Sequence, residues 1–173
     1  MDWKREIVIA HLVQQKIAEI DVEQIWSYFL PEVPATEDTI AVAEGHLGFR
    51  LDAEYHEFLR HANGWRSFFQ SVDLFGTSDL ASGPRREIAI ELLESLEDLR
   101  PLCGFDRAEL LPIAVSATNI DLFAISKPFT TRPGIVLWFA GGLIDTFPSF
   151  SEWFLSMVDY NRRQYRLMTG KET

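Results

Sequence analysis

The sequence predicts an α+β fold in which helices wrap a mostly antiparallel sheet. Apolar residues recur at helical spacing near both ends of the chain, whereas short β-branched and aromatic runs cluster between residues 71 and 147. The two kinds of segment do not alternate regularly, as they would in a doubly wound parallel sheet. A chain of 173 residues needs no more than one domain to bury a core.

The N-terminal segment has loosely helical spacing from residue 3 to residue 29, and Pro31 and Pro34 then end the pattern. We interpret residues 1–35 as a helical extension packed on the domain and residues 36–168 as the domain itself. The apolar side of the extension requires burial, either on its own domain or by exchange with a neighbouring copy. Its apolar residues are Ile7, Leu12, Ile17, Ile20, Ile25 and Phe29.

Two short helices are expected next. Thr36 is suited to cap a helix that Gly48 ends, and Asp52 is suited to cap another. Asn63 and Gly64 follow that second helix and tolerate the left-handed backbone conformation. We therefore expect a sharp corner at residues 63–64.

Five later runs predict strands: SVDLF, LLPIAVSA, DLFAIS, GIVLWFA and GLIDTF. Between the first and the second, residues 84–99 predict an amphipathic helix with an acidic outer face. A closing helix begins at Ser149, which has capping-box spacing to Glu152. Its end is basic, as expected at a helix C-terminus, through Arg162, Arg163, Arg166 and Lys171.

The composition favours a folded protein that binds a basic partner. Hydrophobic residues make up 47% of the chain and aromatic residues 13%, which argues against disorder. A formal net charge of -10 disfavours nucleic-acid binding, because phosphate backbones are recognised by Lys and Arg. An alternative interpretation is that the acidity only keeps the chain soluble.

The sequence predicts a cytoplasmic protein without a membrane partner. The first residues lack the apolar core of an export signal, and no apolar run approaches the length of about 18 residues that a membrane span requires. Cys103 is the only cysteine, so the chain cannot form an internal disulfide. We expect this thiol to be a small core residue.

The sequence contains no recognisable catalytic motif. His11, His46, His56 and His61 lack metal-binding spacing, and we predict no metal site. The chain has no nucleophile elbow, phosphate-binding loop or dinucleotide fingerprint, so we predict no cofactor and no enzyme activity.

Four aspartates leave one catalytic alternative open. Asp73, Asp79, Asp121 and Asp145 lie in or beside the predicted strands, where a cleft would bring two of them together for acid–base catalysis. The alternative is that they fix turns or face water. A small hydrolase therefore remains the third hypothesis for function.

The segment HLGFRLDAEYHEFLRHANGW, residues 46–65, resembles the SUKH superfamily of Smi/Knr-like proteins. The family pattern is an apolar helix ending in Leu-Gly, followed by an L-P-x-x-Y-x-x-F-L helix ending in Asn-Gly. VDLFGTSDL, LLPIA and SFSEWFLSMV follow in the family's order, so the resemblance covers residues 36–158. Asp52 replaces the usual Pro, and ATNIDLFAIS lacks the Gly-Gly-Asp run often seen there.

This resemblance implies a binding scaffold without catalysis. Many bacterial members are immunity proteins that neutralise polymorphic toxins, often nucleases, and eukaryotic relatives act in cell-wall regulation and as interaction hubs. The leading hypothesis is a cytoplasmic immunity protein, and the alternative is a regulatory module with a housekeeping partner. An acidic inhibitor would be steered onto a basic nuclease cleft, and the association would weaken as salt rises.

We expect the partner to be a protein, a basic toxin domain, bound by rings and carboxylates around one region. The two rings have an alternative interpretation as core residues, and the carboxylates of the helix as a solvated face. Whether the protein is a monomer or a homodimer is left open. The candidate contacts are Trp65, Phe68, Asp73, Asp79, Glu87, Glu91 and Glu94.

Overall fold

The computed structural model describes residues 1–170 and contains one antiparallel sheet of six strands. Each strand pairs with the next along the chain, so the order across the sheet is the order in the sequence. The predicted α+β class is confirmed. The strands are β1 (Trp65–Phe69), β2 (Val72–Leu74), β3 (Leu110–Ser116), β4 (Asp121–Ser126), β5 (Val136–Ala140) and β6 (Leu143–Phe147).

Seven α-helices surround the sheet within the described residues. The two of five residues each, α4 and α6, are too short to show a hydrophobic period and were not predicted. Lys171, expected in the basic end of the last helix, lies outside the described residues. The helices are α1 (Trp3–Ile20), α2 (Glu37–Leu47), α3 (Ala53–Leu59), α4 (Thr77–Ala81), α5 (Pro84–Ser95), α6 (Leu99–Cys103) and α7 (Phe150–Met168).

Helix α1 ends earlier than its apolar pattern predicts. The carboxylate of Asp21 accepts hydrogen bonds from the backbone N–H groups of Ile25 (3.0 Å) and Trp26 (3.2 Å) and from the Tyr28 hydroxyl (2.8 Å). A side chain that binds the following backbone in this way competes with the helical hydrogen bonds. The prediction of helix beyond Ile20 is therefore wrong, and the chain continues without regular structure as far as residue 36.

Strand β1 was not predicted because its residues do not alternate cleanly between the two faces. The pairing register with β2 shifts between Trp65 and Phe69, and Ser67 has a positive φ of 49°. A bulge of this kind adds a residue to one strand and breaks the period of two. Phe68 and Phe69 are consequently both buried although they are adjacent in sequence.

Helices cover both faces of the sheet. Helix α7 covers the face that carries Phe123 and Trp138, whose rings stack with centroids 5.2 Å apart. Trp153 of α7 lies 5.3 Å from Phe123. The register places Asp73 of β2 on the opposite face, where it meets α5. Helix α5 also packs on β3 and β4.

Helix α1 packs on α7 and contributes to the same core as the sheet. Trp3 is buried, and its ring centroid lies 5.4 Å from that of Phe58, 5.6 Å from that of Phe150 and 5.3 Å from that of Phe154. We propose on this basis that residues 1–35 fold together with the remainder of the chain as one unit.

The corner after α3 fits closely against the start of α4. The Thr77 N–H donates to Asn63 Oδ1 at 2.8 Å, and Asn63 Nδ2 donates to Thr77 Oγ1 at 3.0 Å. Gly64 has φ +94°, and a Cβ added there would lie 2.6 Å from the backbone nitrogen of Gly76. A Cβ on Gly76 would overlap the carbonyl of Asn63. Asn63 and Gly64 therefore shape a corner of the scaffold.

We predict that Gly76→Ala lowers the free energy of unfolding by about 3 kcal/mol, because the new methyl group meets rigid backbone. The matched control is Gly45→Ala, whose Cβ would enter open space in α2 and should stabilise the protein by about 0.5–1 kcal/mol. Urea denaturation of both variants measures the two values. Equal stability of the two variants would contradict the close approach.

We predict that Trp3→Ala lowers the free energy of unfolding by about 3–5 kcal/mol in a single transition, because its ring is buried among Phe58, Phe150 and Phe154. Val8→Ala, on the exposed side of the same helix, should change it by no more than about 0.5 kcal/mol. Far- and near-ultraviolet circular dichroism during thermal unfolding checks this. An unchanged midpoint for Trp3→Ala would show that the N-terminal helix is not part of the folding unit.

Candidate functional site

A row of three carboxylates, which we name the α5 stripe, lies on the outer side of α5. Glu87, Glu91 and Glu94 are all exposed, and their spacings of four and three residues place them on one helix face. Ala89 and Leu93 are buried on the opposite side of the helix. The predicted acidic outer face of this helix is therefore present, although the helix ends at Ser95 rather than at residue 99.

The α5 stripe has no cation to balance it among residues 1–170. None of its three carboxylates forms an ion pair or a side-chain hydrogen bond there, and neither do Glu97 and Asp98 just beyond the helix. Each pair of like charges three or four residues apart destabilises a helix by about 0.2–0.5 kcal/mol. The stripe therefore costs the isolated protein stability.

Some exposed or half-buried carboxylates elsewhere in this protein do contact cations. Arg60 lies 2.7 Å from Glu37 and 3.0 Å from Glu57. Arg100 pairs with Asp106 and also lies 2.9 Å from Glu109. Glu23, Asp38 and Asp145 are also exposed and without an ion pair within residues 1–170, but they lie on separate segments. The distinctive property of α5 is that three such carboxylates share one helix face.

Asp73 and Asp79 meet at a single arginine beside the start of α5. Arg85 Nε lies 3.2 Å from Asp73, and Arg85 Nη1 lies 3.1 Å from Asp79. Asp73 also accepts the Ser67 N–H at 2.8 Å, and Asp79 accepts the Gly76 N–H at 3.1 Å. These two candidate contacts are therefore held inside the protein, where they fix α5 to β2 and α4.

Trp65 and Phe68 are fully buried, with 0% of each residue exposed. Trp65 donates its indole N–H to the Phe29 carbonyl at 2.9 Å, and the Phe68 ring stacks on Phe154 at 4.9 Å. Neither ring reaches the surface. The expectation that Trp65 and Phe68 contact a partner is therefore wrong. Their alternative interpretation as core residues agrees with the structure.

The strand aspartates do not form the paired site that the hydrolase hypothesis requires. Asp73 lies on the opposite sheet face from Asp121 and Asp145, as the strand register shows. Asp121 is buried and accepts the Trp138 indole N–H at 2.8 Å and the Asn119 amide at 2.9 Å. The exposed Asp145 lies two strands away from it. Of these four aspartates, all within the described residues, only Asp73 and Asp79 converge, and Arg85 neutralises that pair.

The single thiol, candidate metal ligands and candidate membrane-spanning helices are the other relevant features of the described residues, and the thiol is the one with a defined environment. Burial raises the pKa of the Cys103 thiol, which donates to the Leu99 carbonyl at 3.1 Å and packs partly buried against the core. No group of three or more His, Cys, Asp or Glu side chains within residues 1–170 is placed to hold a metal ion. Among the same residues, no helix combines the length and the apolar character that crossing a bilayer demands.

Next to the α5 stripe lies a cavity of about 280 Å³, which the sequence alone did not reveal. Its walls come from α2, α4, α5 and β3, with Glu94 at one side. Three cationic side chains line it: Arg86, Arg107 and Lys127. They lie far apart in sequence, so no local spacing indicates that they meet.

The family model described as the SMI1 / KNR4 family (SUKH-1) matches residues 34–156. No curated protein matches the chain. The matched segment contains the complete sheet, the corner at residues 63–64 and all of α5. Because this segment is well over half of the chain, the protein belongs to the SMI1 / KNR4 family (SUKH-1).

Proposed function

We propose that this protein is a non-catalytic immunity protein that binds and neutralises a cognate toxin domain, and that the α5 stripe is part of the contact surface. The observation that carries the proposal is the row of Glu87, Glu91 and Glu94, exposed and without a cation among the described residues. The three carboxylates repel one another and do not stabilise the fold of the protein. They are therefore well suited to bind a partner that supplies the cations.

The proposed partner is a nuclease toxin, because such enzymes bind phosphate with clefts of basic residues. A protein with a net charge of -10 is attracted to such a cleft from a distance, which speeds association at low salt. The stripe spans two helical turns, about 10 Å, and so presents three charges to one face of the partner. This supports inhibition by coverage of the cleft.

The position of the stripe also favours a preorganised contact. Arg85 joins the first turn of α5 to Asp73 and Asp79, and Arg107 donates three hydrogen bonds to carbonyls at the end of the helix, those of Leu93, Glu94 and Leu96. A helix fixed at both ends loses little conformational freedom when a partner binds. We propose that Asp73 and Asp79 support the surface in this way.

The proposal is tested by toxicity rescue. An immunity gene normally follows the gene of its toxin, so the C-terminal domain encoded directly upstream is expressed with and without this protein, and growth is compared. We expect growth arrest by the toxin domain alone and recovery with the protein. An upstream gene unrelated to toxins, together with capture of a housekeeping partner, would favour the regulatory alternative.

We predict that the triple variant Glu87→Lys/Glu91→Lys/Glu94→Lys fails to rescue growth and binds the toxin domain about 100-fold more weakly, because it places like charges opposite the basic cleft. The control Glu23→Lys/Asp38→Lys/Asp145→Lys makes the same change in net charge at exposed carboxylates outside α5, and should keep most of the affinity. Surface plasmon resonance at two salt concentrations measures both.

Circular dichroism establishes that both triple variants are folded before binding is compared. Full affinity and an unchanged salt dependence in the α5 variant would remove this helix from the interface, even if the wild-type protein rescues growth. Absence of rescue by the wild-type protein would instead contradict the immunity function itself.

A further inference from the structure

The cavity beside α5 combines an apolar floor with a positive wall. The apolar residues that line it include Ile90 and Leu93 of α5 and Leu110 of β3, which the strand register places on the α5 face of the sheet. Its volume of about 280 Å³ is near the lower end of the range for small-molecule sites, about 300–1,000 Å³. The size indicates a small ligand rather than a peptide or a dinucleotide.

Arg86 is half-buried at this cavity and has no ion pair or hydrogen bond to its side chain within residues 1–170. Three other arginines, Arg60, Arg85 and Arg100, each contact two carboxylates. Arg107 and Arg132 also lack an ion pair, but both donate to backbone carbonyls, whereas the half-buried Arg86 side chain has neither kind of partner within residues 1–170.

The second cation, Lys127, is also held without a carboxylate. Its ammonium group donates to the Ala108 carbonyl at 2.7 Å and lies over the rings of Phe49 (5.3 Å) and Phe129 (5.9 Å). Burial and then the nearby charge of Arg86 lower the pKa of Lys127. The two cations therefore repel one another across the cavity.

The remaining charged groups at the cavity do not cancel this positive charge. Asp79 is bound to Arg85 and to the Gly76 N–H. Glu94 supplies one carboxylate at the exposed side of the cavity and forms no ion pair within residues 1–170, so it offsets only part of the charge of Arg86 and Lys127. Arg107 adds a third positive charge, fixed by its hydrogen bonds to the carbonyls at the end of α5.

We propose that this cavity binds a small phosphomonoester, with Arg86 and Lys127 contacting the phosphate oxygens and the apolar floor contacting the organic group. Arginine and lysine are the side chains that most often hold phosphate, arginine through its planar fork and lysine as a point charge. A bound dianion would remove the repulsion between the two cations. This site adjoins the α5 stripe at Glu94, but its ligand is held by other residues and the proposal does not depend on the toxin contact.

The test is a titration of the full chain by isothermal calorimetry and ¹H–¹⁵N NMR, with phenyl phosphate and inorganic phosphate as probes, at low and constant ionic strength. We expect saturable binding of phenyl phosphate, with amide shifts confined to α2, α5, β3 and residues near Lys127. Inorganic phosphate should bind the same residues more weakly, because it lacks a group for the apolar floor.

Arg86→Gln and Lys127→Met should each weaken phenyl phosphate about ten- to hundredfold, the usual effect of losing a charged hydrogen bond. Lys4→Gln, which removes an exposed cation from α1, should leave the affinity unchanged. Without ligand, Arg86→Gln should melt at the same temperature as the wild-type protein or higher, since it removes a repulsion.

Two results would overturn the proposal. One is the absence of saturable binding by either probe to the wild-type protein. The other is an equal loss of affinity in Lys4→Gln and Arg86→Gln, which would mean that the probes sense only the general charge of the chain. Because methionine is uncharged, unbranched and apolar, Lys127→Met removes the charge but keeps an apolar side chain beside Phe49 and Phe129, which separates loss of charge from loss of packing.

Discussion

Burial of one aromatic cluster between α7 and the sheet is the interaction on which the rest of the fold depends. Phe154 of α7 stacks on Phe68 of β1, and Trp153 contacts both Phe68 and Phe123 of β4. Trp3 joins the cluster from α1 through Phe154. All of these rings are buried, and paired rings contribute about 0.5–1.5 kcal/mol beyond the burial of their area. One cluster thus holds together elements from the whole length of the chain.

The aromatic cluster stabilises the fold from the α7 face of the sheet. The α5 face can therefore carry charged side chains that no opposite charge balances. Helix α5 buries only Ala89 and Leu93 within its length and is fixed at its ends by Arg85 and Arg107. Its outer face carries the acidic stripe, and its edge carries Arg86 beside the cavity. Neither charge arrangement lowers the energy of the isolated fold, and both are suited to binding. We propose that stability and recognition are in this way assigned to different faces of one sheet.

Much of this architecture follows from local patterns in the sequence. The spacing and caps of α2, α3, α5 and α7 are local, so these helices were predicted with ends shifted by a few residues. The exposed positions of Glu87, Glu91 and Glu94 also follow from helical periodicity. Trp65 and Phe68 were ambiguous, because a large ring suits a core and an interface equally well. Only the tertiary structure places them in the core.

The features that the sequence did not reveal all depend on contacts between distant segments. A bulge hides β1, and the turn around Asp21 ends α1 although apolar residues continue to Phe29. The shared ion pair of Asp73 and Asp79 with Arg85 depends on how β2 and α4 meet α5. The cationic cavity likewise joins Arg86, Arg107 and Lys127 across 42 positions of sequence, from residue 86 to residue 127.

The most direct test of the central claim is amide hydrogen exchange of the protein, free and in complex with its toxin domain. If the α5 stripe is the contact surface, amides of residues 84–98 should exchange more slowly in the complex, and those of α1 and β6 should be unchanged. Protection confined to α1, α7 or β6, with no change in α5, would contradict the account and place the binding surface elsewhere.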